Sequence, residues 1–155
     1  MLKLSPHNIV FVCTGNTCRS PMAATLAASI FQQEGLNFEV ISAGVNAYGG
    51  ESASVNAVKV MLEENLNLAS HKAQLLSMEL LSNATLVLTM TKGHLYAVQS
   101  ICPTVRAYTL SEFAGVYGEV CDPYGGDLAT YRACASQIKQ LLLSCVTKIR
   151  EDLWN

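Results

Sequence analysis

"VFVCTGNTCRS", Val10 to Ser20, carries an apolar run straight into a polar loop holding two cysteines, a glycine, an asparagine, two threonines and an arginine. The run reads as a strand, "NIVFV" at 8–12, and the loop opens into a helical pattern in which Ala23, Leu26, Ala27 and Ile30 recur at i, i+3, i+4 and i+7. Ser20 is expected as the helix N-cap, Pro21 as the first helical residue and Gly35 as the stop. A strand that ends on a polar, glycine-bearing loop and leads into a helix belongs to a βαβ unit, which makes the sheet parallel.

Further along, "FEVIS" at 38–42, "TLVLTM" at 85–90 and a weaker "VRAYTL" at 105–110 repeat the strand signal. Near-continuous apolar runs of this length suit strands covered on both faces. Between them, a helix is expected on Val55, Val58, Met61 and Leu62, another over Met78 to Ala84, and a fourth from Lys92 to Ile101, closed by Cys102-Pro103. Tyr131, Ala135, Ile138, Leu142, Cys145 and Ile149 form one stripe of a long last helix, with Asp127 as its N-cap. The expected fold is a three-layer α/β structure: a doubly wound four-stranded parallel sheet with helices on both faces, spanning residues 1–155 as a single domain.

The bulk composition limits function more by exclusion. Half of the residues are apolar and 14% charged, a core-rich balance at odds with disorder. A net charge of −2 gives no bulk reason to bind nucleic acid or an anionic membrane, so any anion site must be local. No run approaches the roughly 18 apolar residues of a membrane span, and "MLKLSPHNIVFVC" reads as a strand rather than a signal peptide. The six cysteines show no C-x-x-C or Cys/His clustering, which disfavours a zinc site or a disulfide framework and suits a reducing cytoplasm.

Ligands on open α/β sheets bind beyond the carboxyl ends of the strands, where the loop after Val12 lies. Backbone N–H groups of Thr14, Gly15, Asn16, Thr17, Cys18 and Arg19, curled at a helix N-terminus, would form an anion pocket sized for a phosphate. Gly15 and Asn16 are residue types that tolerate the left-handed backbone such a loop demands. The planar fork of Arg19 can hold two phosphoryl oxygens, and Cys13 at the bottom of the cradle is favoured as a nucleophilic thiolate by the amides, the helix end and Arg19. A departing group also needs a proton, and Asp122, held extended by Pro123 inside a glycine-containing turn, is the candidate acid.

The order of these features resembles the low-molecular-weight protein-tyrosine-phosphatases, whose signature is a cysteine, five residues, an arginine and a serine or threonine near the N-terminus. "CTGNTCRSPMA" matches it, and so do "SAG" at Ser42 to Gly44, "SHKA" at Ser70 to Ala73, "ATLVLTM" at 84–90 and "DPYGGD" at Asp122 to Asp127. The resemblance implies a cysteine-dependent protein phosphatase working through a phosphocysteine, with Cys13 as nucleophile, Arg19 as phosphate clamp and Asp122 as general acid and then base. It implies a loop-supporting network of Asn16, Ser20, Ser42 and His71, with Ser20 also stabilising the leaving thiolate, and a reversible disulfide between Cys13 and Cys18 under oxidation. His7 and His94 carry no such context and are read as structural or solvated.

Thr17 and the segment "DPYGG" are similar to the bacterial protein-arginine-phosphatase branch, where tyrosine-specific relatives often carry isoleucine and a paired aromatic. Phosphoarginine presents N–H donors that a threonine hydroxyl and a carboxylate can accept and an apolar wall would leave unpaired, at a cost of about 1–3 kcal/mol. Thr17 and Asp122 are therefore the expected specificity pair, with Tyr124 packing on a guanidinium or phenyl plane. The expected substrate is a phosphorylated protein, phosphoarginine before phosphotyrosine. The chain is expected to act as a monomer in the cytoplasm, without cofactor, metal, nucleic acid or membrane. Two rivals share the scaffold. An arsenate reductase needs further redox cysteines after the third strand, and none lies between Cys18 and Cys102; a catalytically dead binding module typically loses the cysteine, arginine or acid retained here.

Overall fold

In the computed structural model, residues 7–154 are described; the expectation that no signal peptide opens the chain falls on residues 1–6, outside them. The elements run β1 (His7–Cys13), α1 (Arg19–Gln33), β2 (Phe38–Gly44), α2 (Val55–Glu63), α3 (Met78–Ser82), β3 (Leu86–Thr89), α4 (Lys92–Ile101), β4 (Ala107–Thr109), α5 (Leu110–Phe113) and α6 (Leu128–Ile149), followed by a turn of π-helix at Arg150–Trp154. The four strands are parallel, in the order β2-β1-β3-β4.

Alternate side chains of the central strands enter two separate cores. Ile9, Phe11, Leu86 and Leu88 pack with α1, α2, α5 and α6, whereas Val10, Val12 and Val87 face Leu81 of α3 and Val98 of α4. Complete burial on both faces is why these runs lack polar alternation. Phe11, Leu88, Ile138 and Leu142 are fully buried, each contributing about 1.5–3 kcal/mol of transfer free energy. The stripe expected on α6 is buried from Tyr131 to Ile149, and Asp127 caps it by accepting from the Thr130 N–H at 2.9 Å.

Several local expectations differ from the structure. In α2 the buried side is Ala57, Val60 and Met61, while Val55 and Leu62 stand exposed. The "VRAYTL" run keeps only three strand residues, because Thr109 turns the chain by capping α5 through the Glu112 N–H at 3.0 Å. α1 begins at Arg19 with Cys18 at the N-cap position, so Ser20 is no cap and Pro21 is not the first helical residue.

The strand order reverses around β1: β2 lies on one side of it and β3 on the other. Register aligns Cys13 with Gly44 and Val12 with Thr89, so the loops leaving β1 and β3 diverge from one edge and open a crevice there. Gly44 is required by space at this edge. A Cβ on it would lie 2.4 Å from the Thr14 carbonyl oxygen and 2.9 Å from the Asn16 nitrogen, so the third residue of "SAG" cannot carry a side chain without displacing the loop.

Candidate active site

Cys13, Thr14, Gly15, Thr17, Cys18, Arg19, Asp122 and Tyr124 line one cavity of about 290 Å³, joined by Asn46, Tyr48 and Glu51. Asn16, Ser20, Ser42 and His71 stand behind the loop rather than in the cavity. Asn16 adopts φ 57°, the left-handed conformation expected of this loop; Gly15 does not, and a Cβ there would meet only the Thr17 hydroxyl at 3.7 Å. The left-handed turn is thus assigned to Asn16 alone, whose side chain has the partners to hold it.

Those partners are specific. Asn16 Nδ2 donates to Ser20 Oγ and to Ser42 Oγ, both at 2.9 Å, and Asn16 Oδ1 accepts from the Gln74 N–H at 3.0 Å. His71 Nε2 donates to the Asn16 carbonyl at 2.7 Å. Ser20 Oγ, already accepting from Asn16, lies 2.9 Å from Cys13 Sγ and 3.4 Å from the Ala43 carbonyl. Its single proton has two possible acceptors, the sulfur at the shorter distance and the Ala43 carbonyl at the longer one. Ser20 therefore faces the sulfur instead of capping the helix.

Arg19 is buried, and two groups from the far loop orient its guanidinium. Nη1 donates to the Val120 carbonyl at 3.1 Å, and Nη2 lies 3.5 Å from Asp122 Oδ2. Asp122 Oδ1 accepts from the Tyr124 N–H at 3.1 Å, which turns the carboxyl toward the cavity. The glycines of "DPYGGD" have separate reasons: Gly125 takes φ 77°, and a Cβ on Gly126 would meet the Pro123 carbonyl at 2.9 Å. At the mouth, Tyr48 and Tyr124 are 76% and 79% exposed, leaving two aromatic rings free to meet a ligand.

Three further residues, Ser54, Tyr131 and His94, touch this machinery although the sequence reading assigned none of them to it. Cys18 Sγ contacts Tyr131 Oη at 3.2 Å and donates to Ser54 Oγ at 3.5 Å. Burial first, then the bond to Cys18, push the Tyr131 hydroxyl up to about 12, so it stays a phenol. His94, read as structural or solvated, is buried and its Nε2 lies 2.8 Å from Thr14 Oγ1. Burial above all, aided by Arg19, lowers its pKa to about 4. The available signal was Thr91 three residues ahead of His94 at the end of a strand, a helix-capping spacing.

The low molecular weight phosphotyrosine protein phosphatase family model matches residues 8–154. The chain belongs to that family. It is similar to the protein-arginine-phosphatase of Bacillus subtilis (strain 168), 40% identical over 148 residues, covering 94% of this chain and 98% of that one. It is also similar to the low molecular weight protein-tyrosine-phosphatase PtpB of Staphylococcus haemolyticus, 38% identical over 135 residues, covering 86% and 94%. Among solved structures, a YwlE arginine phosphatase mutant with serine for its active-site cysteine, and that serine phosphorylated, matches with a TM-score of 0.90 at 38% identity over 95% of this chain and 98% of that one. Among the described residues, no helix is long and apolar enough to cross a membrane.

Proposed function

We propose that this phosphatase hydrolyses phosphoarginine in proteins, with Cys13 as nucleophile, Arg19 as phosphate clamp and Asp122 as acid and base. The observation that carries the reading is the convergence on one cavity of the Cys13 sulfur, backed by Ser20 at 2.9 Å, and the Arg19–Asp122 pair at 3.5 Å. The Cys13 thiolate attacks phosphorus. As the P–S bond forms, the P–N bond to the arginine side chain breaks and the departing nitrogen takes the Asp122 proton. Loop amides and Arg19 hold the equatorial oxygens, where the charge resides. In the second step Asp122, now a carboxylate, takes a proton from water as its oxygen attacks phosphorus. The P–S bond breaks, Ser20 donates to the returning thiolate, and phosphate leaves.

Arginine is favoured as the carrier of the phosphoryl group by Thr17, which lines the same cavity as Asp122 and with it offers acceptors to guanidinium N–H groups. The relatives named protein-arginine-phosphatase support the same choice. Phosphotyrosine is the second reading, favoured by the two exposed rings of Tyr48 and Tyr124 at the mouth. The six free thiols suit a reducing cytoplasm, and Cys13 and Cys18 are the pair proposed to join reversibly under peroxide. Cys13, Arg19 and Asp122 come from one chain, which suits a monomer.

The deciding experiment compares kcat/KM on phosphoarginine and phosphotyrosine peptides for wild type and Thr17→Ile. Wild type is expected to prefer phosphoarginine, and the substitution to shift the ratio toward phosphotyrosine by ~10–100-fold. Equal or tyrosine-favouring wild-type activity would overturn the substrate assignment.

A further inference from the structure

His94 stands in the first turn of α4, 6% exposed, with both ring nitrogens engaged. Nδ1 lies 3.2 Å from the Thr91 backbone nitrogen and 3.1 Å from Thr91 Oγ1, and Nε2 lies 2.8 Å from Thr14 Oγ1. A backbone N–H can only donate, so Nδ1 carries a lone pair. Thr91 Oγ1 accepts from the His94 N–H at 3.3 Å, which leaves its own proton for Nδ1 as well. A neutral ring with a bare Nδ1 holds its proton on Nε2, and that proton points at Thr14. A second proton, on Nδ1, would face the Thr91 amide proton. Burial and the Arg19 charge oppose it too, while Glu119 and Asp122 pull more weakly the other way.

A hydroxyl has one proton to give. Thr14 Oγ1 accepts from His94, and among the described residues His94 is its one side-chain partner, so the Thr14 proton is left for an occupant of the cavity that Thr14 lines. We propose that His94 is a positioning residue that locks the Thr14 hydroxyl as a donor toward a phosphoryl oxygen. The inference rests on the reading of the cavity as a phosphoryl site. Left free, the hydroxyl would have to give up its other orientations when the anion binds; the Nε2–H sets the donor orientation beforehand. The same helix end also holds the segment leading to Asp122: the Val120 N–H donates to the Met90 carbonyl at 3.0 Å, and the Lys92 N–H donates to the Glu119 carboxylate. One turn of α4 thereby keeps the nucleophile loop and the acid loop in register.

The test uses inorganic vanadate as a phosphoryl-site inhibitor, with kcat/KM on an aryl phosphate at pH 7. His94→Ala and Thr14→Val are each expected to weaken vanadate inhibition and lower kcat/KM about tenfold, the scale of one lost hydrogen bond. The double variant is expected to be no worse than the weaker single, because both remove one interaction. His94→Gln, whose amide can donate in place of Nε2–H, is expected to recover most of the loss. A role confined to capping α4 would instead lower the melting temperature of His94→Ala and leave vanadate inhibition unchanged. That result, or losses that multiply in the double variant, overturns the proposal. If His94→Ala does not fold, the wild-type ring decides: long-range nitrogen–proton NMR is expected to show the Nε2–H tautomer, and an Nδ1–H ring or an imidazolium at pH 7 overturns it. Wild-type protein that binds no vanadate overturns the phosphoryl reading itself, whereas equal binding by wild type and variants overturns only the positioning.

Discussion

Ser20 Oγ lies 2.9 Å from Cys13 Sγ and accepts from Asn16 Nδ2 at 2.9 Å, so the hydroxyl is held from behind and its proton is left for the sulfur or for the Ala43 carbonyl at 3.4 Å. Stabilising a thiolate matters most when the thiolate is the leaving group, in the second step. Ser20→Ala is therefore expected to slow breakdown of the phosphocysteine more than its formation. A hydrogen bond to a charged group is worth about 1.5–3 kcal/mol, so kcat should fall by about 10–100-fold. Rapid-quench kinetics on an aryl phosphate should show a larger burst followed by a slower steady state. Equal slowing of both phases would place the serine in loop support alone.

Asp122 keeps its Tyr124 hydrogen bond and its place near Arg19 if replaced by asparagine, yet loses the proton it would give and the base it would become. Asp122→Asn is expected to lower kcat by about 10²–10⁴-fold on phosphoarginine, the usual scale for a general acid. The loss should shrink for aryl phosphates of acidic phenols, whose leaving groups need less protonation. A loss independent of the leaving group would contradict its assignment as acid.

The buried His94 ring gives the stability of the fold a pH dependence. Its folded pKa of about 4 lies below the ordinary 6.5, lowered by burial and then by Arg19. The unfolded chain therefore takes up this proton near pH 6.5, and the folded chain not until about pH 4. The contribution is complete above pH 6.5 and declines as pH falls toward 4. Urea midpoints at pH 7.5 and pH 5 should fall further for wild type than for His94→Gln. Equal declines would show that this ring is not the group responsible.

The sequence was most informative where one residue's neighbours along the chain are also its neighbours in space. The apolar runs of β1 and β3, the stripe of α6 and the loop between Cys13 and Arg19 are all local patterns, and the structure brings the loop residues to one cavity. What was hidden depends on strand order. Thr14 and His94 are 80 residues apart and meet only because β3 lies beside β1, so the Thr91 spacing ahead of His94 marks a helix cap but not this contact. Ser20 shows the opposite failure, a local signal overridden: a serine before a proline reads as a helix cap, but its hydroxyl is held by Asn16 and turned to Cys13. α5, at four residues, is too short to show a helical period at all.

Trapping the intermediate on Cys13 tests the central claim most directly. Protein mixed with a phosphoarginine peptide, quenched within one turnover and digested, should carry one phosphoryl group on the Cys13 peptide. Cys13→Ala should carry none and should not release phosphate. Phosphate released with no adduct at Cys13, or undiminished turnover by Cys13→Ala, would contradict the account.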